Sequence, residues 1–198
     1  MEFLDLENSF EELKGLKLAN YFVLPINANL EKFKAKIEKL KFPLWIKLNS
    51  GEHKTKIEAI KKVSSFQELT KAHSQLQKQF PGKKFVLQEN VEGIEVIAGI
   101  KQDKTFGKIL LLGSGGSFAE LIKDVEFRVL PLEKTEILGA LQQLKIYTIL
   151  QQRNLAVDKL TNLILDFSKL KIKEADLNPI IVNEKEAVAV DARIILEE

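Results

Sequence analysis

The chain has 198 residues, of which 45% are apolar and 29% are charged, an ordinary composition for a folded protein that buries a core. Its net charge of +2 comes from 30 basic and 28 acidic residues that are well mixed, so we expect no broad basic surface for nucleic acid. The absence of cysteine excludes disulfides, thiolate metal sites and cysteine nucleophiles.

Two features of the chain argue against secretion and membrane insertion. The N-terminal stretch MEFLDLENSFEEL is acidic and has no long apolar core, so it does not read as a secretory signal. No run approaches the roughly 18 apolar residues that a membrane helix needs. We therefore expect a cytoplasmic protein that binds neither membrane nor nucleic acid.

The first half of the chain alternates between helical and extended patterns. Ser9 followed by Glu12 resembles a capping box, which predicts a short helix that begins at Ser9. The predicted helices are 9–19, 29–40 and 65–80, and the predicted extended segments are 21–25, 44–48, 57–63 and 85–88.

Two basic side chains in this half carry possible chemistry. Lys47 lies inside the apolar strand LWIKL, where an unpaired ammonium costs several kcal/mol, so it must reach solvent, pair with a carboxylate or meet a ligand phosphate. An edge-strand lysine that points outward is an equally good reading. His53, in the polar loop 49–56, could act as a base or accept a phosphoryl group, although a loop histidine is more often merely solvated. His73 has polar neighbours in a helix and is predicted to lie on the surface.

The second half mixes strands, hairpins and helices. Residues 95–101 and 108–112 read as neighbouring strands, and 134–141 and 157–170 read as helices. This mixture predicts the α+β class rather than a purely parallel sheet. We expect two subdomains, 1–90 and 91–198, that meet near residues 89–93 with a cleft between them.

The segment GSGGS at 113–117 is unusual because it follows directly on a strand. Glycines let backbone amides converge on an anion without Cβ obstruction, although a plain flexible turn explains the same letters. Glu89 and Glu95 flank the expected crossover between subdomains, where they could hold ribose hydroxyls or could simply be solvated. Arg128, which follows two acids, reads as a surface ion pair or as a stabiliser of transferred charge.

The closing stretch, residues 174–193, predicts a hairpin. Apolar β-formers run through 179–182 and 187–190 on either side of a polar cluster. If the hairpin is centred between Glu184 and Lys185, Asn178 faces Asp191, and opposed residues share one face with their Cβ atoms about 5 Å apart. An amide oxygen and a carboxylate placed in this way suit Mg²⁺, although a hairpin that ends in solvated polar groups is also compatible.

The ordered set of motifs resembles one known family. In chain order the motifs are FPLWIKL, the HK loop, VLQENVEGIEVIAGIKQDKTFGKILLLGSGGSFAEL, DVEFRVLPL, EADLNPIIV and AVAVDARI. From about Leu13 to Leu196 they are similar to the ATP-grasp domain of NDP-forming acyl-CoA synthetases, that is, the β subunit of ADP-forming acetyl-CoA synthetase. The resemblance implies an ATP-grasp fold that holds ATP between two α+β subdomains.

The resemblance also implies roles for individual residues. It assigns Asn178 and Asp191 to Mg²⁺, Arg128 to the arginine of the family's FR pair, and His53 to a mobile loop whose histidine carries a phosphoryl group in some members. The positions that match the family's nucleotide-binding residues are Lys47, Glu89, Asn90, Val91, Glu95, Gly113, Gly115, Gly116 and Glu120.

One departure from the family concerns the loop after His53. The family usually has two glycines where this chain has Glu58 and Ala59 in HKTKIEAI. The replacement stiffens the loop and places a carboxylate where phosphates are expected, which is electrostatically unfavourable without a cation. It puts phosphoryl transfer through His53 in doubt more than it affects binding of ATP and Mg²⁺.

The resemblance implies an ATP-grasp subunit of an ADP-forming acyl-CoA synthetase that uses ATP/ADP and Mg²⁺. It also implies a separate CoA-binding α-type subunit as partner. Two alternatives remain at this stage: a nucleotide-binding or scaffold subunit that has lost phosphoryl transfer, and an unrelated ATP-dependent ligase on the same scaffold.

Overall fold

The computed structural model describes residues 2–51, 59–116 and 123–196, and its contacts divide the chain into two compact units. The N-terminal unit comprises Asp5–Asn8 and Ala19–Asn90, and the C-terminal unit comprises Met1–Leu4, Ser9–Leu18 and Val91–Glu198. The chain passes from the N-terminal to the C-terminal unit after Asn90, and the subdomain bounds 1–90 and 91–198 stay a prediction. Some residues before position 19 nevertheless belong to the C-terminal unit.

Each unit combines helices with an antiparallel sheet, which confirms the predicted α+β class. The strands are β1 (Glu2–Phe3), β2 (Tyr21–Leu24), β3 (Leu44–Leu48), β4 (Ile60–Val63), β5 (Phe85–Glu89), β6 (Ile94–Asp103), β7 (Gly107–Ser114), β8 (Val125–Val129), β9 (Glu174–Val182), β10 (Ala187–Ala189) and β11 (Ala192–Leu196). The helices are α1 (Leu6–Glu12), α2 (Leu30–Ile37), α3 (Phe66–Gln79), α4 (Lys134–Gln143), α5 (Lys145–Gln152) and α6 (Val157–Ser168).

The N-terminal unit is a four-stranded sheet in the order β2-β5-β3-β4. One face of this sheet packs against α2 and α3 and forms an apolar core that includes Ile46, Leu87 and Leu76. Both helices begin at a polar cap, because the side chains of Asn29 and Ser65 accept hydrogen bonds from backbone amides of the first turn. The other face of the sheet carries Lys47, since it alternates with the core residues of β3.

The C-terminal unit contains the larger sheet, in the order β1-β11-β9-β6-β7-β8, with β10 also paired to β9. Alternate residues of its central strands are buried towards α4, α5 and α6, for example the opposed pair Ala98 and Leu112. We call this side the helix face. The residues between them, such as Ile97 and Leu111, occupy the opposite face.

Two local predictions are wrong, and two elements were missed. The first helix spans Leu6–Glu12, so Ser9 is not its cap but a buried residue inside it, and the carboxylate of Asp5 instead accepts from the amide of Asn8 at 2.9 Å. His73 is only 4% exposed, because α3 turns it towards the ring of Phe85 rather than to solvent. Strand β8 and helix α5 were not predicted at all.

None of the helices in the described part of the chain is both long enough and apolar enough to cross a bilayer.

Candidate functional site

The closing hairpin has the predicted register. Ala189 pairs with Ile180 in β10, and Ala192 pairs with Leu177 in β11, so Asn178 and Asp191 face each other in the interval between these pairs. The amide of Asn178 donates to the carbonyl of Asp191 at 3.1 Å, which fixes the pair directly. The predicted opposition of the two residues is therefore confirmed, whereas their role as metal ligands stays a prediction.

A β-bulge sets the direction of the Asn178 side chain. Val96 pairs with Ile180 and Ala98 pairs with Leu177, so Asn178 and Pro179 together oppose the single residue Ile97. Proline has no amide to give to the ladder, and a bulge is one of the few places inside a sheet where it fits. Leu177 points to the helix face, so Asn178 lies on the opposite face, where it is exposed.

The carboxylate of Asp191 is partly buried on the same face and is oriented by its own backbone. Its Oδ1 atom accepts from the amide of Ala192 at 2.9 Å. Two positions further along the two strands, Asp176 faces Arg193, and the guanidinium Nε donates to the carboxylate at 2.8 Å. The two residue pairs are separated by one residue on each strand and therefore share one face of the sheet.

Gly113 of β7 lies at the same position along the sheet as the bulge at Asn178 and Pro179 in β9. Ile97 is opposed by the bulge on one side and by Gly113 of β7 on the other. With neighbouring strands about 4.8 Å apart, the backbones of Asn178 and Gly113 are roughly 10 Å apart. This spacing can accommodate a chain of phosphates between a metal bound at Asn178 and the glycine segment, residues 114–116.

The glycines after β7 pack tightly against the start of β6. The amide of Gly115 donates to the carbonyl of Glu95 at 2.8 Å, and a Cβ on Gly115 would lie 2.8 Å from the Cβ of Glu95, closer than real side chains come. Gly116 has a φ of +90°, a conformation that favours glycine. Both positions therefore require glycine, whatever binds near them. Glu95 itself is exposed.

Asp124 is a buried residue that we did not single out in the sequence. Its carboxylate accepts from the hydroxyl of Ser114 at 2.5 Å and from the amides of Lys145 and Ile146 at 2.8 and 3.1 Å. Burial alone raises the pKa of Asp124, but these hydrogen bonds outweigh burial and hold the pKa below its ordinary value. The available signal was an acid ten residues after a serine at a strand end, which no simple motif describes.

Arg128 lies on the other face of the sheet from Asn178 and Asp191. It opposes Leu110 in the β7–β8 ladder and therefore lies on the helix side of the sheet, at the edge strand. Its guanidinium donates to the carboxylate of Glu126 and to the carbonyl of Phe127. A role for Arg128 in phosphate chemistry stays a prediction, and the structure does not bring it together with Asn178.

In the N-terminal unit, Lys47 has a buried partner. Its Nζ donates to Oε1 of Gln88 at 2.6 Å; Lys47 is 5% exposed and Gln88 is fully buried. Among the described residues, Nε2 of Gln88 has no hydrogen-bond partner. The two nitrogens lie within about 5 Å of each other, since the oxygen and nitrogen of one amide are about 2.2 Å apart. They can therefore share one acceptor, such as a phosphate oxygen. A glutamine in the otherwise apolar FVLQ was the sequence signal.

The segment 89–91, which matches nucleotide-binding positions of the family, is held in the N-terminal unit up to Asn90 by side-chain hydrogen bonds. The carboxylate of Glu89 accepts from the side chain of Asn20 and from the amide of Lys41, both at 2.9 Å. The side-chain oxygen of Asn90 accepts from the indole of Trp45 at 2.9 Å. Both side chains bind protein groups here, which is compatible with base recognition through the backbone. Two other predicted residues, His53 and Glu120, lie outside the described residues.

Comparison with known proteins identifies the family of this chain. A family model described as the ATP-grasp domain matches residues 23–196. The chain belongs to the ATP-grasp family, and the predicted ATP-grasp fold is confirmed.

Curated proteins match part of the chain. The subunit beta of acetate–CoA ligase [ADP-forming] I from Pyrococcus furiosus is 40% identical over 113 residues, which cover 52% of this chain and 49% of that protein. The chain spans about half or less of the length of the curated relatives that it matches.

Solved structures match almost the whole chain. The structure of PH1788 from Pyrococcus horikoshii has a TM-score of 0.86 and 29% identity and covers 98% of this chain and 92% of that one. The dinucleotide forming acetyl-coenzyme A synthetase 1 of Ca. Korarchaeum cryptofilum has a TM-score of 0.80 and 26% identity and covers 97% of this chain and 92% of that one. That protein was crystallised with coenzyme A and Mg-AMPPCP, with its phosphohistidine segment pointing towards the nucleotide binding site.

Proposed function

We propose that this chain is the ATP-grasp subunit of an ADP-forming acyl-CoA synthetase, which transfers a phosphoryl group between ADP/ATP and a phosphohistidine. The observation that carries the proposal is the opposition of Asn178 and Asp191 on one face of the sheet, level with Gly113. The names of the relatives support this assignment, since the matched P. furiosus protein is an ADP-forming acetate–CoA ligase subunit.

The donor set of this pair fits a magnesium ion. One amide oxygen and one carboxylate are hard ligands, and Mg²⁺ typically takes one or two protein ligands and completes its shell with water and phosphate. Asn178 is exposed, so its side chain can reach a ligand without rearranging the sheet. When bound, the ion neutralises phosphate charge and holds the phosphates in line for transfer.

The protein groups then have distinct tasks. In the C-terminal unit the amides of the glycine segment position phosphate oxygens. In the N-terminal unit Lys47 is available to neutralise phosphate charge, and the backbone of residues 89–91 is available to receive the base. In phosphoryl transfer, catalysis consists largely of such positioning and charge neutralisation. Arg128 is the remaining candidate for charge stabilisation, and it must first leave Glu126 to take part.

A partner completes the proposed enzyme. A protein whose name includes "subunit beta" works with at least one other kind of chain, and the matched P. furiosus protein is so named. We infer a CoA-binding α-type subunit as the partner of this chain. That subunit supplies the acyl and CoA chemistry and the principal phosphohistidine.

A calorimetric titration with ADP, with and without Mg²⁺, tests the proposal. We expect the wild-type protein to bind Mg-ADP and Asp191→Ala to lose at least about tenfold in affinity, because one of two metal ligands is removed. Asp158→Asn is the matched control, since that exposed carboxylate on α6 binds Lys134 and Asn162, neither of which we assign to the nucleotide site. Equal heats for wild type and Asp191→Ala would remove the metal assignment.

A nucleotide-binding subunit without phosphoryl transfer is the second candidate. Ala59, which replaces one of the family glycines, is fully buried in the core of the N-terminal unit, and its carbonyl accepts from the amide of Leu48. This residue extends the sheet rather than the loop. Labelled phosphate from ATP that appears on His53 or on a partner histidine excludes this candidate.

A further inference from the structure

We propose that Asp124 is a positioning residue that anchors the glycine segment, residues 114–116, for binding phosphate. The inference rests on the proposed function, because it concerns the same nucleotide site. It assigns a role to a residue that touches neither metal nor phosphate and acts through Ser114.

The contacts of Asp124 join three parts of the C-terminal unit. One carboxylate binds the hydroxyl at the end of β7 and the first two amides of α5, while its backbone carbonyl accepts from the amide of Ser114 at 3.0 Å. Ser114 is therefore held through both its backbone and its side chain by a single residue. Asp124 is 7% exposed and Ser114 is 5% exposed, so little water competes for these bonds.

The anchored serine immediately precedes the glycine whose amide binds Glu95. Gly115 has no room for a Cβ against Glu95, so a small displacement of Ser114 either breaks the 2.8 Å bond from Gly115 to Glu95 or forces a clash. The position of the following amides is thus set from both sides, by Asp124 through Ser114 and by β6 through Gly115. Preorganised amides are what a phosphate-binding segment needs, because reorienting them on binding costs affinity.

The negative charge of the Asp124 carboxylate also strengthens its hydrogen bonds to α5 and Ser114. The amides of Lys145 and Ile146 form the positive end of α5, where a negative charge is favoured. The low pKa of Asp124 keeps the carboxylate ionised at neutral pH. An ionised carboxylate can only accept hydrogen bonds, so the Ser114 hydroxyl must donate to it, and this leaves the rotor of that serine with one orientation.

Four variants test the inference. Ser114→Ala and Asp124→Asn weaken the anchor, and Ser114→Thr is the conservative variant that keeps the hydroxyl. Ser65→Ala is the matched control, because it removes a helix cap of α3 in the N-terminal unit, far along the chain from the glycine segment. Thermal unfolding, Mg-ADP affinity and hydrogen exchange at the Gly115 amide are measured for each.

We expect Ser114→Ala and Asp124→Asn to weaken Mg-ADP binding by about tenfold or more, as the loss of a hydrogen bond to a charged group suggests. Exchange at the Gly115 amide should become faster in the nucleotide-free protein. Ser114→Thr, which keeps the hydroxyl, should retain the Mg-ADP affinity and the Gly115 exchange rate of the wild type. Ser65→Ala should lower the unfolding temperature without changing either. If Ser114→Ala lowers the unfolding temperature yet leaves affinity and Gly115 exchange unchanged, the anchor has only a structural role and the inference is wrong.

The two proposals fail in different ways. If the wild-type protein does not bind Mg-ADP, the proposed function fails, and with it the phosphate role of the anchor. If the wild-type protein binds Mg-ADP and the anchor variants bind equally well, only the present inference fails.

Discussion

At the scale of single residues, a buried charge in the described part of the chain has a partner that only the fold reveals. Lys47, buried in the sheet of the N-terminal unit, donates to Gln88. The lysine was visible in the sequence because it interrupts an apolar strand. Its partner was not, since the pairing of β3 with β5 brings together residues 41 positions apart.

The Lys47–Gln88 contact should contribute measurably to folding. Gln88→Leu removes one acceptor of the buried Lys47 ammonium, and we expect a loss of about 2 kcal/mol in the free energy of unfolding, the usual scale for a hydrogen bond to a charged group. Lys47→Met should then lower the free energy of unfolding less in the Gln88→Leu variant than in the wild type. Urea unfolding of the two single variants and the double variant gives the coupling energy. Strictly additive losses would show that the two side chains do not interact in solution.

At the scale of elements, the sequence predicts what depends on local pattern and misses what depends on distant partners. The hairpin register follows from two runs of β-formers and a four-residue polar loop, and it was predicted correctly. The bulge at Asn178 and Pro179 arises only against β6, about 80 residues earlier in the chain, so the hairpin alone did not reveal it. Strand β8 was missed although VEFRV alternates apolar and charged residues as a strand does, and its apolar residues Val125, Phe127 and Val129 are exposed.

The packing of α3 on its sheet should depend on pH. His73 lies edge-on to Phe85, and burial lowers its pKa below the ordinary value of 6.5. The unfolded chain then binds a proton at a higher pH than the folded one does, so stability is complete above about pH 6.5 and falls as the pH drops below it. His73→Leu should have a smaller difference in unfolding free energy between pH 7.5 and pH 5.5 than the wild type has. An unchanged pH dependence in this variant would contradict the assignment.

At the scale of the whole molecule, comparison with known proteins establishes the fold and the family, and the roles of particular residues are our proposals. The family model covers residues 23–196, and the matched structures cover nearly the full chain. The ATP-grasp fold was predicted from the resemblance of the ordered motifs to that family. Asp124 and Gln88 escaped prediction because their importance comes from burial and from partners distant in sequence.

The central claim is that Asn178 and Asp191 hold one divalent ion, and anomalous diffraction from crystals grown with Mn²⁺ and a non-hydrolysable ATP analogue tests it most directly. We predict one manganese peak about 2.2 Å from the side-chain oxygens of both residues, with its remaining positions filled by phosphate and water. A bound nucleotide whose metal contacts neither side chain would contradict the claim.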